Sequence, residues 1–122
     1  MIRPSQKELF QKIRAAKKTV STGRIMMVDP VTIAADAIDL EYTVEDELVE
    51  VLGGLLDMTT PRHYVGTQPP QKSYKAQIQG LELFAFAVEN ARFKYRVYYK
   101  FALVENAFWL VSLHRDRRRS GL

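Results

Sequence analysis

The stretch Arg92-Phe-Lys-Tyr-Arg-Val-Tyr-Tyr-Lys-Phe-Ala-Leu-Val104 decides the fold. In an extended strand Phe93, Tyr95, Val97, Tyr99, Phe101 and Leu103 fall on one side, and Arg92, Lys94, Arg96, Tyr98 and Lys100 on the other. One side is apolar and the other cationic. Phe108 to Asp116 alternates too, which predicts a β-hairpin over 92–116. A two-residue loop at Glu105 and Asn106 would set Lys100 opposite Val111, a charge against an apolar partner. A three-residue loop, Glu105-Asn106-Ala107 with Asn106 or Ala107 left-handed, pairs Leu103 with Trp109, Phe101 with Val111 and Tyr99 with Leu113, and is the expected one. On the polar side it joins Lys100 to Ser112, Tyr98 to His114 and Arg96 to Asp116, with Arg115, Arg117, Arg118 and Arg119 at or beyond the strand end.

The charge is divided along the chain: residues 1–61 hold seven Lys/Arg and ten Asp/Glu (net −3), and residues 62–122 hold eleven and four (net +7). A cationic surface interleaved with aromatics concentrates polyanions and suits phosphodiesters and unstacked bases, so single-stranded RNA is the expected ligand. Arg92, Lys94, Arg115, Arg117 and Arg118 are the candidate RNA contacts, with Arg62 and Lys72 from a preceding loop. The competing explanation is ordinary: Lys and Arg also keep exposed sheets soluble and unpaired.

A chain of 122 residues, 47% of them hydrophobic, fits one domain with a real core. It has no cysteine, hence no disulfide, thiolate nucleophile or Cys-type zinc site. No apolar run approaches the ~20 residues of a membrane span, and Met-Ile-Arg-Pro-Ser at the start lacks a signal-peptide core, so a cytoplasmic protein is expected. Ser5 with Glu8 forms a capping-box pattern for a helix over about 6–19, halted by Gly23. Residues 24–28 form a short extended stretch or the approach to a second helix over about 30–38, capped by Asp29 with Pro30 at its first position. Thr43 with Asp46 starts a third helix over about 44–53, closed by Gly53-Gly54. Its Glu45, Asp46, Glu47 and Glu50 lack a histidine at ligand spacing and suit a solvated helix start, so neither metal nor cofactor is expected. A Pro-, Thr- and Gln-rich loop spans 57–73, strands lie near 74–79 and 81–88 with Gly80 as a bend, and Glu89-Asn90 turns into the hairpin. The expected class is α+β: one domain whose helices (about 1–56) pack on one face of an antiparallel sheet (about 74–116), with a basic tail at 117–122. The opposite, cationic face is expected to be bare.

Several short segments carry a family likeness: Lys17-Lys-Thr-Val-Ser-Thr-Gly-Arg24, Ala34-Ala-Asp-Ala-Ile-Asp-Leu40, Val51-Leu-Gly-Gly-Leu55 leading to Met58-Thr59-Thr60, and the paired strands Val97-Tyr-Tyr-Lys-Phe101 and Leu110-Val-Ser-Leu-His114. With the helix-then-sheet order they resemble the RelE-type bacterial toxin ribonucleases, and within them the MqsR (motility quorum-sensing regulator) toxins. The resemblance implies a type II toxin-antitoxin mRNA interferase, a RelE-like fold and a cognate acidic antitoxin covering the basic face. It puts the family's strand tyrosine and lysine on Tyr98 and Lys100, and its final basic residue on His114. The chain departs from the family at Leu55-Leu56-Asp57, where a Phe-Tyr-Lys-Ser precedes Met-Thr-Thr, and it lacks the Trp-Gln-Asp-Val-Tyr motif. It also holds roughly an extra hairpin's length between Thr60 and Tyr98.

Metal-free RNA cleavage uses the 2′-hydroxyl as nucleophile, so the protein must supply a base, an acid and cations for the phosphorane. Histidine titrates near neutrality, which makes His114 the expected general acid/base. Arg96, Lys100 and Arg115 are then expected to stabilise the phosphate, Tyr98 to bond it or orient the histidine, and His63 to be an outside candidate for the second proton transfer. Two alternatives are a non-catalytic RNA- or protein-binding module using the same face and a small-molecule cavity under a curved sheet. The oligomeric state is left open, a homodimer included.

Overall fold

The computed structural model describes residues 2–117. In chain order it contains helix α1 (Gln6–Ser21), strand β1 (Ile25–Met27), helices α2 (Pro30–Leu40) and α3 (Val44–Met58), two single 3₁₀ turns (Pro61–His63 and Ala76–Ile78), and strands β2 (Phe84–Val88), β3 (Val97–Val104) and β4 (Ala107–Arg115). The class is α+β, with the three helices packed against a four-stranded mixed sheet. None of the helices among the described residues is long and apolar enough to cross a membrane.

The helices begin where their caps predict. Ser5 Oγ accepts from the Glu8 amide at 3.1 Å, although Glu8 turns to Arg3 and leaves the return arm of the box unmade. Asp29 caps α2 by accepting from the Thr32 amide, with Pro30 in the first turn. At α3 the expected roles reverse, because the Thr43 side chain makes no cap bond and Glu47 accepts from the Thr43 amide and hydroxyl. Nor does Gly53-Gly54 end α3, which runs on to Met58. Each mid-helix glycine costs about 0.5–1 kcal/mol relative to alanine, whereas burying a leucine returns about 1.5–3 kcal/mol, and Leu55 and Leu56 are both fully buried beyond the pair.

The sheet order is β1-β4-β3-β2, with β1 parallel to β4 and the other pairs antiparallel. The expected meander is therefore corrected: residues 74–79 hold a 3₁₀ turn in place of a strand, and the fourth strand is Ile25–Met27. Strand β3 also begins at Val97, so residues 92–96 precede the hairpin.

The hairpin loop is Glu105-Asn106, with Val104 opposite Ala107 and Glu105 at φ 48°, which overturns the three-residue loop. Pairing runs Leu103–Phe108, Ala102–Trp109 and Phe101–Leu110, then shifts so that Lys100 meets Ser112, Tyr99 meets Leu113 and Tyr98 meets His114. Val111 is thus one extra residue on β4, a bulge that restores apolar-to-apolar alternation below it. Phe108, Leu110 and Leu113 join Val97, Tyr99, Phe101, Phe84 and Phe86 in the core under the helices. Trp109 falls on the opposite face.

That face is only partly open. Ile78 and Leu83 cover its upper end with Val28 and Ala102, and Leu81, Trp109 and Val111 pack against them. The covering segment is tied down by backbone bonds from Ser73 to Leu81, Leu83 to Gln71 and Val65 to Ala85, so much of the expected loop runs along the β2 edge.

Candidate nucleic-acid interface

What remains of the open face is a strip of three cross-strand rungs: Lys100 with Ser112, Tyr98 with His114, and Arg96 with Asp116. Strand alternation puts these residues on one side, and the bulge at Val111 keeps His114 in phase with Tyr98. The third rung lies just past the strands, where the Asp116 amide donates to the Arg96 carbonyl at 2.8 Å and the side chains pair at 3.6 Å. On β2 the rungs continue into Ala85 and Ala87, small buried residues that leave the side chains of Lys100 and Tyr98 standing above them.

Tyr98 and His114 stack, with ring centroids 5.0 Å apart and planes 17° apart. His114 Nδ1 lies 2.7 Å from the carbonyl oxygen of Arg115. A carbonyl only accepts, so Nδ1 carries the proton and Nε2 is the nitrogen that gains or loses one. His63 has the opposite tautomer, because its Nδ1 accepts from the Thr60 amide at 2.9 Å in a capping box that closes the first 3₁₀ turn. Its ring is engaged there, in a different element from the hairpin strip.

The cations gather less than the sequence suggests. Arg92 pairs with Glu47 and Glu50 of α3. Arg115 pairs with Asp39 of α2 at 2.9 Å and lies 3.7 Å over the Tyr95 ring, and Arg117 pairs with Asp36 at 3.1 Å. These three arginines join the end of the hairpin and the segments flanking it to the helices. Arg62 is exposed on the first 3₁₀ turn, Lys72 bridges backbone to backbone with Glu82, and Lys94 is exposed in the β2–β3 link. Arg118 lies outside the described residues, as does Arg119. The strip therefore keeps Arg96, Lys100 and His114 as its basic groups, with Arg96 paired to Asp116 inside the strip.

Electrostatics at the β2 border come from an N-terminal clamp. Arg3 bridges Glu8 and Glu82, which holds the Glu82 carboxyl below its ordinary range and raises the guanidinium further. Burial, reinforced by the charges of Glu8 and Glu82, pushes the Tyr64 phenol up to about 12, so it stays protonated and donates to the Thr67 carbonyl. The sequence offers Ser112 only as the cross-strand partner of Lys100 and Asn90 only as a turn former, because neither residue type carries distinguishing chemistry. Among the described residues no three His, Asp or Glu side chains gather as a metal site.

Neither a protein-family model nor a curated protein sequence matches the chain.

Proposed function

We propose that this protein binds single-stranded RNA on the β3–β4 strip and cleaves it without a metal, as a bacterial mRNA interferase of the toxin-antitoxin type. The observation that carries this is the Tyr98–His114 stack with Nε2 left as the exchanging nitrogen, beside Lys100 and Arg96. His114 Nε2 removes the 2′-hydroxyl proton; the 2′-oxygen attacks the adjacent phosphorus while the bond to the 5′-oxygen breaks, and a proton from water completes its departure. Lys100 and Arg96 stabilise the phosphorane charge and Tyr98 donates to a phosphate oxygen. An acidic antitoxin would compete for the same cations.

A second reading, a non-catalytic RNA-binding face, is favoured by one observation: the strip holds a single histidine, while His63 is engaged in its cap. The two separate in one assay of a long RNA with EDTA present. The nuclease leaves 2′,3′-cyclic phosphate ends, and His114→Ala lowers cleavage about 10²- to 10⁴-fold with binding retained. Salt-sensitive binding without any cleavage would instead establish the binding face.

A further inference from the structure

The polar strip leads into a cleft. Between the end of α3 and the β2–β3 link lies an open depression of about 490 Å³, bordered by Met58, Glu89, Asn90, Lys94, Tyr95 and Arg96. Met58 and Tyr95 are large apolar side chains left 52% and 41% exposed at its walls. Asn90 Oδ1 accepts from the Arg92 amide at 2.8 Å, which fixes the side chain with its amide nitrogen, a donor group, on the α3 side of the cleft, 3.6 Å from where a Cβ on Gly54 would sit. Arg96 belongs to both places, lining the cleft and forming the last rung of the strip.

We infer that this cleft holds one nucleotide of an RNA strand, next to the phosphate seated on Lys100 and His114; the inference rests on the RNA reading above. Arg96 and Tyr98 are two residues apart on one side of the chain, about 6.7 Å, which is close to one nucleotide step of an extended single strand. Met58 offers a polarisable surface and Tyr95 a ring against which a base can lie. Lys94 meets the outer phosphate of that nucleotide while Arg96 stays with the phosphate it shares with Lys100, the Asn90 amide donates to a base acceptor, and the Glu89 carboxylate accepts from a base amino or imino group. An acidic peptide would use the same cations, but its carboxylates bring no planar base to lie against Met58 and the face of Tyr95 that Arg115 does not cover.

The test measures fluorescence anisotropy of labelled oligo(A), oligo(C) and oligo(U) with the full chain, each variant first checked for native circular dichroism. Lys94→Ala is expected to weaken binding about tenfold and to lower the salt slope by about one contact. Asn90→Ser keeps a side-chain acceptor for the turn but removes the amide donors, and is expected to level the unequal affinities of the three homopolymers. If Lys100→Ala weakens binding while Lys94→Ala and Asn90→Ser match wild type in affinity and base preference, the cleft is no subsite and the strip alone binds RNA. If wild type binds none of the three, the cleft and the RNA reading fall together.

Discussion

Two buried tyrosines differ in one hydrogen bond. The Thr59 hydroxyl donates to the Leu55 carbonyl at 2.7 Å, so its 2.6 Å contact with Tyr99 must have the phenol as donor, and this bond ties the end of α3 to β3. Tyr99→Phe deletes it and is expected to cost about 1 kcal/mol in a denaturant titration. Tyr42 is 5% exposed and its hydroxyl has no hydrogen-bond partner among the described residues; burial and the Asp36 charge push the phenol up to about 12. Tyr42→Phe removes an unsatisfied polar atom and is expected to leave stability unchanged or raise it by about 1 kcal/mol. A loss of similar size would mean that this hydroxyl is satisfied in solution. In the strip, the pairing of Tyr98 with His114 follows from matching the apolar alternation of the two strands, although the three-residue loop that this matching favours is not the loop the hairpin has. The tautomer was not legible, since it depends on the Arg115 carbonyl standing 2.7 Å from Nδ1.

At the scale of elements, α3 shows where local rules yield to packing. Gly53 and Gly54 read as a stop, but Leu55 and Leu56 continue the buried stripe and draw the helix onward. A Cβ added at Gly53 meets nothing within 4 Å, so Gly53→Ala is expected to stabilise the fold by about 0.5–1 kcal/mol in thermal or denaturant unfolding. The start of α3 sets a pH dependence. The Glu47 carboxyl is lowered to about 2, first by the Thr43 amide, then by Arg92 and the Thr43 hydroxyl. A carboxyl depressed in the fold contributes stability above its unfolded value, and that contribution is lost as pH falls from about 4.5 towards 2. Glu47→Gln is expected to flatten the fall in stability across that window while changing its shape little above pH 5; an unchanged acid limb would contradict the cap. The hairpin teaches the converse lesson about legibility. Its lower rungs follow from alternation, but a three-residue loop and a two-residue loop with a bulge give the same pairs below residue 101, so periodicity left the upper half ambiguous. Residues 24–28 read as an extended stretch or the approach to α2, and three of them do form a strand; their pairing with β4 was not legible because the partner lies more than 80 positions away.

Across the whole molecule, the division of charge along the sequence is partly an internal complement. Glu47 and Glu50 face Arg92, Asp39 faces Arg115 and Asp36 faces Arg117, so the acidic helices meet the basic end of the hairpin and the segments flanking it. Counting cations therefore overstates the RNA face. With Lys94, Arg96 and Lys100 as its phosphate contacts, the logarithmic salt dependence of binding to a single strand is expected to have a slope near 2, at about 0.7 per contact, and Lys100→Ala is expected to lower it by about one contact. A much steeper slope would mean that the helix-paired arginines are released to RNA. The measurement that tests the location most directly is amide and imidazole chemical-shift mapping of the labelled protein titrated with a short single-stranded RNA. The account predicts saturating shifts at Arg96, Tyr98, Lys100, Ser112 and the His114 ring, with little change at the lysines of α1. Shifts confined to α1, or none, would contradict it.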